Sequence, residues 1–378
     1  MVKKGFKNTE IGVIPEDWKC MELRSLLKFG SGRDYKHLAD GDIPVYGTGG
    51  YMTSVNDFLH DGESVGIGRK GTIDKPVFLN EKFWTVDTLF YTHSFVDSLP
   101  KFIYYKFLQI PWKEYNEASG VPSLNKNNLE KIKISIPPLP EQKAIAEALS
   151  DTDAWIGNLE QLIAKKRLIK QGAMQQLLSP KDDWEVKKLG EVISVFRGGS
   201  PRPIQNFMTS DPNGINWIKI GDTTKSTKYV HTIAEKIIPD GANFSRKVSI
   251  GDFLLSNSMS FGRPYILKVE GCIHDGWLVL QQYQNSFDTE FLYYLLSSKA
   301  ILDQYKSKAA GSGVLNLNKE LVSTVFLTYP SLTDQTRIAT ILSDMDNEIE
   351  SLENQLAKAR QIQQGMMQEL LTGRVRLV

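Results

Sequence analysis

Apolar side chains recur at alternating intervals of four and three residues along two long stretches of the chain. One series is Ile338, Leu342, Met345, Ile349, Leu352, Leu356 and Ala359, and the other is Ile145, Leu149, Thr152, Ile156, Leu159, Ile163 and Lys166. This spacing is typical of the a/d seam of a heptad repeat, which buries one narrow face against another helix. It predicts helices over about 140–178 and 334–371, each roughly 38 residues and on the order of 57 Å long.

Both predicted helices lie inside a repeated segment. Residues 119–178 align with residues 312–371 at a constant offset of 193, and 28 of the 60 positions are identical. Such a repeat indicates one structural unit used twice. Because the two seams match within one chain, we expect the helices to pair as an antiparallel coiled coil with an approximate twofold axis. The alternative is that each helix folds back on the segment that precedes it.

Local features refine the two helices. Pro140 suits a first turn, where its missing N–H is no loss, and Thr333 or Asp334 is expected to cap the second helix. Gly172 and Gly365 occupy equivalent positions near the ends, where a glycine lowers helix stability by about 1 kcal/mol. Their equivalence suggests that another backbone packs closely against both.

Alternation with a period of two precedes each helix and predicts a short strand, at Ile132, Ile134 and Ile136 and again at Val325-Phe326-Leu327. The segments in front diverge, although both open on Asp-Trp and both end in an aromatic helical stretch. The predicted fold is α+β: two mixed α/β heads joined by two long helices. The predicted boundaries are 1–137 and 181–330 for the heads, and 138–180 and 331–378 for the helical regions.

Composition places the chain among ordinary globular proteins. Its 378 residues suffice for two or three domains, and 41% are hydrophobic and 24% charged. No apolar run approaches the roughly 20 residues needed to cross a bilayer, and the N-terminus lacks the apolar segment of a signal peptide. Cys20 and Cys272 fall in different heads, which argues against a disulfide framework and favours a reducing cytoplasm.

The charge balance limits the kinds of partner. The formal net charge is only +1, whereas a sequence-independent DNA binder normally carries a strong basic excess. Any nucleic-acid binding must therefore come from local patches or be shared with a more basic partner.

Glycine-rich loops that carry cations and small polar residues are the candidate binding elements of the first head. They contribute Ser31, Arg33 and Lys36, then Tyr46, Thr48 and Tyr51, and then Arg69, Lys70 and Thr72. Arginine can make bidentate contacts to guanine or phosphate, and small polar residues allow close approach to a ligand. Solvated β-turns would show the same composition.

The second head has loops of the same kind, and the first two of them lie at places that match the first head. They contribute Arg197, Ser200 and Arg202, then Lys219, Asp222 and Thr223, and then Asn257, Ser258 and Arg263. A matched placement in two divergent heads favours a binding role for these loops.

Several catalytic classes find little support in the sequence. Gly66–Gly71 fits the dinucleotide fingerprint, but Pro76 follows where the motif needs a helix, and no P-loop is present. The five histidines are isolated and show no metal-ligand spacing. A nuclease that uses Asp34 and Lys36 is a weak hypothesis, because the second head lacks that pattern. We therefore expect neither a metal site nor a catalytic residue.

The repeat and the openings of the heads together resemble a known family. The most specific block is IPPLPEQKAIAEAL, which the second copy replaces with YPSLTDQTRIATIL, and the heads open with IPEDWKCMEL and DDWEVKKLGEV. These segments are similar to the DNA-specificity subunit of type I restriction–modification systems. The resemblance extends over essentially the whole chain.

The resemblance implies that each head recognises one half of a split DNA site and that the coiled coil fixes the gap between the halves. It also implies that two modification subunits dock on the repeated scaffold, bring S-adenosylmethionine and methylate adenine. Restriction subunits would add ATP- and magnesium-dependent translocation and cleavage. The chain itself is expected to be no enzyme and to bind no cofactor. In agreement, the Asn/Asp-Pro-Pro-aromatic motif of adenine methyltransferases is missing, since Ile136-Pro137-Pro138-Leu139 does not fit it.

The runner-up hypothesis is a coiled-coil scaffold whose two heads bind proteins. Sequence-selective DNA binding by the assembled complex would distinguish the two hypotheses. Magnesium-dependent DNA cleavage by the isolated chain would instead support the hypothesis of a nuclease.

Overall fold

The computed structural model describes residues 4–223, 228–257, 261–309 and 316–377. The chain forms two compact units. Unit 1 comprises Met1–Gln161 and Glu353–Val378, and unit 2 comprises Leu162–Leu352. Each long helix therefore contributes residues to both units.

The two long predicted helices are confirmed, with bounds within two residues of those expected. The helices are α1 (Leu23–Leu26), α2 (Pro100–Gln109), α3 (Lys126–Leu129), α4 (Leu139–Leu177), α5 (Leu189–Val192), α6 (Pro239–Ala242), α7 (Thr289–Leu296), α8 (Lys299–Ala309), α9 (Lys319–Ser323) and α10 (Leu332–Leu370). Short 3-10 turns lie at Trp112–Tyr115, Ile204–Phe207 and Ile220–Thr223. All the residues of both predicted seams are buried or half-buried.

Two local predictions about the long helices are wrong. The cap of α10 is neither Thr333 nor Asp334, because the helix begins earlier and the Ser331 hydroxyl accepts a hydrogen bond from Asp334 N at 3.3 Å. Gly172 and Gly365 have no backbone packed against them, since a Cβ at either would meet no atom within 4 Å. Both glycines are exposed.

The strands of unit 1 build two four-stranded sheets and two antiparallel two-stranded pairs. They are β1 (Phe6–Thr9), β2 (Gly12–Pro15), β3 (Lys19–Glu22), β4 (Lys28–Ser31), β5 (Asp40–Gly47), β6 (Gly50–Val55), β7 (His60–Asp61), β8 (Ser64–Gly68), β9 (Val77–Leu79), β10 (Lys82–Thr85), β11 (Leu89–His93) and β12 (Lys133–Ile136). The two-stranded pairs are β1 with β2 and β3 with β12. The larger sheets have the orders β6-β5-β10-β7 and β4-β11-β8-β9. In the first of them β5 and β10 are parallel, so their carboxyl ends meet at one edge.

Unit 2 contains the same two sheets, each extended by one strand. Its strands are β13 (Glu185–Lys188), β14 (Ser194–Arg197), β15 (Met208–Thr209), β16 (Ile215–Ile218), β17 (Tyr229–Val230), β18 (Lys236–Ile237), β19 (Arg246–Val248), β20 (Phe253–Ser256), β21 (Pro264–Leu267), β22 (Gly271–Ile273), β23 (Trp277–Gln281) and β24 (Phe326–Tyr329). The orders are β14-β23-β20-β21-β17 and β15-β18-β16-β22-β19, with β16 and β22 parallel. The two heads therefore share a core topology, although their sequences diverge.

The main apolar core of each unit includes both long helices. In unit 1, Ile145 and Leu149 of α4 pack in one cluster with Leu370 and Leu371 at the end of α10. In unit 2, Ile338 and Leu342 of α10 join the cluster that Met174 and Leu177 of α4 contact. The predicted strands β12 and β24 supply buried residues to the same clusters.

Candidate nucleic-acid interface

The segment Thr85–Leu89, which joins β10 to β11, gathers three candidate loops of unit 1. We call it the unit 1 connector. The N–H of Arg33 donates to Thr85 O at 2.8 Å, and the N–H of Arg69 donates to Thr88 O at 2.7 Å. Val86 N donates to Tyr46 O at 3.0 Å. Loops that are far apart in the sequence are thus bonded to one short segment.

The segment Ile273–Trp277, which joins β22 to β23, is the counterpart in unit 2, and we call it the unit 2 connector. Gly199 N donates to Ile273 O at 3.1 Å, and Asn257 N donates to Gly276 O at 3.4 Å. The Arg197 guanidinium donates through Nε to Asp275 O at 3.3 Å. Each connector follows the second of two parallel strands, so it lies at the edge where both strands end.

A glycine in each unit allows the first candidate loop to lie against the connector. A Cβ at Gly32 would lie 1.9 Å from Val86 O, and a Cβ at Gly198 would lie 1.9 Å from His274 O. Any side chain at either position would displace the loop. The glycines of the two loops therefore have the same packing role.

The remaining candidates of unit 1 surround its connector or lie on the adjoining loops. Ser31, Arg33, Lys36, Tyr51 and Lys70 are exposed, whereas Tyr46, Thr48, Arg69 and Thr72 are half-buried. The Tyr46 hydroxyl donates to Glu81 Oε1 at 2.8 Å, and burial, assisted by this carboxylate, raises the pKa of Tyr46 to about 12. Arg69 Nη1 lies 3.4 Å from Asp87 O.

Asp275 organises the candidate side chains of unit 2. Ser200 Oγ donates to Asp275 Oδ1 at 2.9 Å, and Arg202 Nη2 lies 3.3 Å from Oδ2. The hydrogen bond from Ser200 is the main reason that the pKa of the Asp275 carboxyl lies below its usual value. Arg202 is 82% exposed at its side chain, so most of its guanidinium faces solvent.

The other candidates of unit 2 divide into turn-forming and exposed residues. Asp222 Oδ2 accepts from Lys219 N at 2.8 Å, and the buried Thr223 hydroxyl donates to Ile220 O at 2.8 Å. Lys219 also pairs with the Glu235 carboxylate. Asn257 is buried, and Arg263 is exposed with its guanidinium 5.2 Å from the Tyr265 ring. Ser258 lies outside the described residues.

The loop that opens the repeat is bonded to the same region in both units. Leu124 N donates to Arg69 O at 2.8 Å, and Gly71 N donates to Pro122 O at 2.9 Å. In unit 2, Leu317 N donates to Asn257 O at 2.8 Å. Leu124 and Leu317 are equivalent in the repeat, so a shared scaffold loop supports a divergent loop in each head.

Sequence reasoning missed both connectors, and with them Asp87, His274 and Asp275. The signal was an aspartate with apolar residues within two positions on either side in each head, in WTVDTLF and CIHDGWL. The parallel pairing that brings these residues to the candidate loops is long-range, and strand spacing does not reveal it. Burial lowers the pKa of His274 despite the neighbouring Asp275 carboxylate, so its imidazole is mainly neutral near pH 7.

The chemistry of these surfaces suits polyanions and base edges. Exposed arginines and lysines can bind phosphates or the acceptors of guanine, and aspartate can accept from cytosine. Within the described ranges, no three His, Cys, Asp or Glu side chains come together as metal ligands. None of the described helices is long and apolar enough to cross a membrane.

Comparison with known proteins defines the class. A family model for the type I restriction modification DNA specificity domain matches residues 15–166 and residues 181–361. The two matches cover most of the chain and coincide with its two heads and their helices. The chain therefore belongs to the family of type I restriction–modification DNA-specificity subunits, which confirms the resemblance and the prediction of a non-catalytic recognition subunit.

Individual relatives agree over nearly the full length. The chain is 24% identical to the type I restriction enzyme MjaVIII specificity subunit of Methanocaldococcus jannaschii, over 99% of this chain and 97% of that protein. It is 20% identical to the type I restriction enzyme EcoDI specificity subunit of Escherichia coli, over 96% and 89% of the two chains.

Solved structures show the same fold. The S subunit of a type I restriction–modification system from M. genitalium has a TM-score of 0.65 at 16% identity, covering 98% of this chain and 97% of that one. The HsdS subunit from Thermoanaerobacter tengcongensis has a TM-score of 0.51 at 17% identity, covering 99% and 100%. The mixed α+β class of the chain is thereby confirmed.

Proposed function

We propose that this subunit recognises a bipartite double-stranded DNA site, with one half read by the loops around each connector. The observation that carries the proposal is that each of the two family matches contains one connector with exposed cations bonded around it. Direct reading of bases requires such side chains at a groove, while phosphate contacts supply affinity without sequence information. The candidate residues of unit 1 would read one half-site and those of unit 2 the other.

We also propose that α4 and α10 act as an antiparallel coiled coil. Contacts inside each unit support this arrangement. In unit 2, Lys166 Nζ lies 2.6 Å from Glu348 Oε1, and further along α4 Lys170 pairs with Asp346, which lies earlier in α10. In unit 1, Arg360 donates to Glu160 Oε1 at 2.6 Å, and Thr152 Oγ1 lies 3.5 Å from Met366 Sδ. In both units, residue numbers rise along one helix as they fall along the other.

The partners are proposed to be two methyltransferase subunits and, for cleavage, restriction subunits. S-adenosylmethionine, ATP and magnesium would be bound by those partners, and the complex would work in the cytoplasm. Exposed apolar side chains on the helices of unit 2, at Leu162, Ile169 and Ile341, support a protein-docking surface. Leu162 and Ile169 are seven residues apart and so lie on one helix face.

Exchange of one head tests the two-part reading. Residues 184–311 are replaced with the second head of another family member, and methylated adenines are mapped in DNA modified by the assembled complex. We expect one half-site to change and the other to stay the same. A change in both half-sites would contradict separate reading by the two heads.

Insertion of one heptad into both long helices tests the role of their length. Seven residues after Leu159 and after Leu352 keep the seam in register and add about 10 Å to the rod. We expect a longer preferred spacer between unchanged half-sites. An unchanged spacer in a folded and active variant would show that something other than the helices measures the gap.

A further inference from the structure

A buried glutamine attaches the head to the start of the long helix in each unit. In unit 1, Gln142 Oε1 accepts from Leu99 N at 2.8 Å, while its Nε2 donates to Asp97 O and Pro137 O, each at 2.9 Å. In unit 2, Gln335 Oε1 accepts from Asp288 N at 3.0 Å, while its Nε2 donates to Ser286 O and Pro330 O. Both side chains are almost completely buried.

A tyrosine–aspartate hydrogen bond provides a second attachment in each unit. The Tyr105 hydroxyl of α2 donates to Asp153 Oδ2 of α4 at 2.5 Å. The Tyr294 hydroxyl of α7 donates to Asp346 Oδ2 of α10 at 2.6 Å. Burial, and then the carboxylate, raises the pKa of both phenols, so each stays protonated and remains a donor.

The same aspartates also bind the other long helix within their own unit. Asp153 Oδ1 accepts from Gln363, and Asp346 Oδ1 pairs with Lys170. Lys170 and Gln363 are equivalent positions of the repeat, since they differ by the offset of 193. Each aspartate therefore joins three elements: the aromatic helix of the head and both long helices.

The spacing of the two attachments is identical in the two units. Gln142 and Asp153 are eleven residues apart, as are Gln335 and Asp346, which corresponds to about 16 Å along a helix. Their partners in the heads, Leu99 and Tyr105 or Asp288 and Tyr294, are six residues apart in both cases. Two fixed points at this separation resist rocking of the head on the helix more strongly than either point alone.

The sequence supports a shared purpose for these residues. Gln142 and Asp153 are identical in the second copy of the repeat. The tyrosines lie outside the repeated segment, where the heads diverge, yet both heads keep them at the same place on the aromatic helix. Retention across divergent heads indicates that the attachment matters more than the surrounding sequence.

We propose that these paired attachments form a rigid joint that sets the angle of each head on its helices, and that this angle limits the DNA spacer lengths accepted by the complex. The joint residues are positioning residues and need not touch DNA. The inference rests on the proposed reading of a bipartite site. A change of one base pair in the spacer rotates a half-site by about a tenth of a turn, so a head held at a fixed angle should reject it.

A distance measurement without DNA tests the joint itself. Spin labels are placed by Asn56→Cys and Glu147→Cys, both exposed positions of unit 1, in a full chain that carries Cys20→Ala and Cys272→Ala. We expect one narrow distance distribution, which broadens when Tyr105→Phe is added. Tyr104→Phe is the matched control, because it leaves the bond between Tyr105 and Asp153 in place. An equally narrow distance distribution with Tyr105→Phe would contradict the proposal that the bond between Tyr105 and Asp153 holds the head at a fixed angle.

A spacer library tests the consequence for recognition. The assembled methyltransferase complex modifies DNA in which the spacer between the half-sites varies by single base pairs. With Tyr105→Phe and Tyr294→Phe together, we expect discrimination against the wrong spacers to fall by at least about tenfold, because each substitution removes a hydrogen bond to a charged group and one such bond is worth about that factor. The preferred bases of both half-sites should stay the same, and Tyr104→Phe with Tyr293→Phe should behave as wild type.

Two results of the library would overturn the inference: unchanged spacer discrimination, or an equal loss of methylation at every spacer. A wild-type complex that methylates no DNA would contradict the proposed function instead. In that case the distance measurement still decides whether the tyrosine bond holds the head.

Discussion

The first turns of the two long helices carry acidic residues at equivalent positions, but these acids differ in burial and in their ion-pair partners. Glu141 of α4 is buried in unit 1, where it accepts from Trp18 Nε1 at 2.9 Å and pairs with Arg376 at 2.6 Å. Asp334 of α10 is half-buried in unit 2 and pairs with Arg337, four-fifths of a turn further along its own helix. The acid at this repeated position, Glu141, thus binds Arg376 and the segment that follows α10 in unit 1, whereas Asp334 pairs within its own helix.

The reason lies in the connectivity of the chain. In unit 2, residues 178–183 link the end of α4 covalently to Trp184, which opens the head. In unit 1 the end of α10 and Trp18 lie far apart in the sequence, and Arg376 bridges them through Glu141 and Asp17. The ion pairs of Arg376 with Glu141 and Asp17, which we call the clamp, therefore connect in unit 1 what a peptide segment connects in unit 2.

The largest predicted effect comes from breaking that clamp. Arg376→Ala leaves Glu141 buried without its cation, so we expect a loss of about 3 kcal/mol in the free energy of unfolding. Arg337→Ala, the control in unit 2, removes a largely solvated pair and should cost less than about 1 kcal/mol. Denaturant unfolding of both variants measures the difference, and equal losses would remove the distinction between the units.

A smaller effect is predicted where the units agree. Gly172 and Gly365 are exposed helical positions with open space around them, so Gly172→Ala and Gly365→Ala should each stabilise by about 0.5–1 kcal/mol. Thermal unfolding of the single variants checks this gain. Destabilisation by either alanine would instead support the prediction that another backbone packs closely against that glycine.

Exchange of Lys170 and Gln363 sharpens the comparison of the two joints. Lys170→Gln should give unit 2 the amide–carboxylate hydrogen bond of unit 1, and Gln363→Lys should give unit 1 the ion pair of unit 2. Because these groups are partly solvated, we expect changes of about 0.5 kcal/mol, with salt dependence lost in the first variant and gained in the second. Unfolding at low and high salt tests this, and identical salt responses would contradict it.

The smallest effect concerns pH. Burial lowers the pKa of His274 in unit 2 and of His93 in unit 1 below 6.5, and nearby cations add to the effect at His93. The unfolded state then takes up protons first as pH falls, so the free energy of unfolding should decrease below about pH 6.5 and be unaffected by these groups above it. His274→Gln should flatten that decrease between pH 7.5 and 5.5. An unchanged slope would contradict this role of His274.

The long helices were predictable because their heptad spacing is local and each seam residue reports on the same face. The strand predicted at Ile132, Ile134 and Ile136 was predictable because its alternation with a period of two is also a local pattern. The cap at Ser331 was missed because it depends on where the first turn starts, and the two glycines were misinterpreted because a sequence does not show which faces are open. The connectors were missed because parallel strands bring Asp87 and Asp275 to loops that are distant in sequence.

The most direct test of two-part reading is a methylation map of single-loop variants in the assembled complex. Arg69→Ala should relax base preference in one half-site only, and Arg202→Ala in the other only, each by about 1–3 kcal/mol of discrimination, the worth of one bidentate base contact. Wild-type preference should persist in the untouched half. Relaxation of both half-sites by one substitution, or of neither by both, would contradict the assignment of one half-site to each unit.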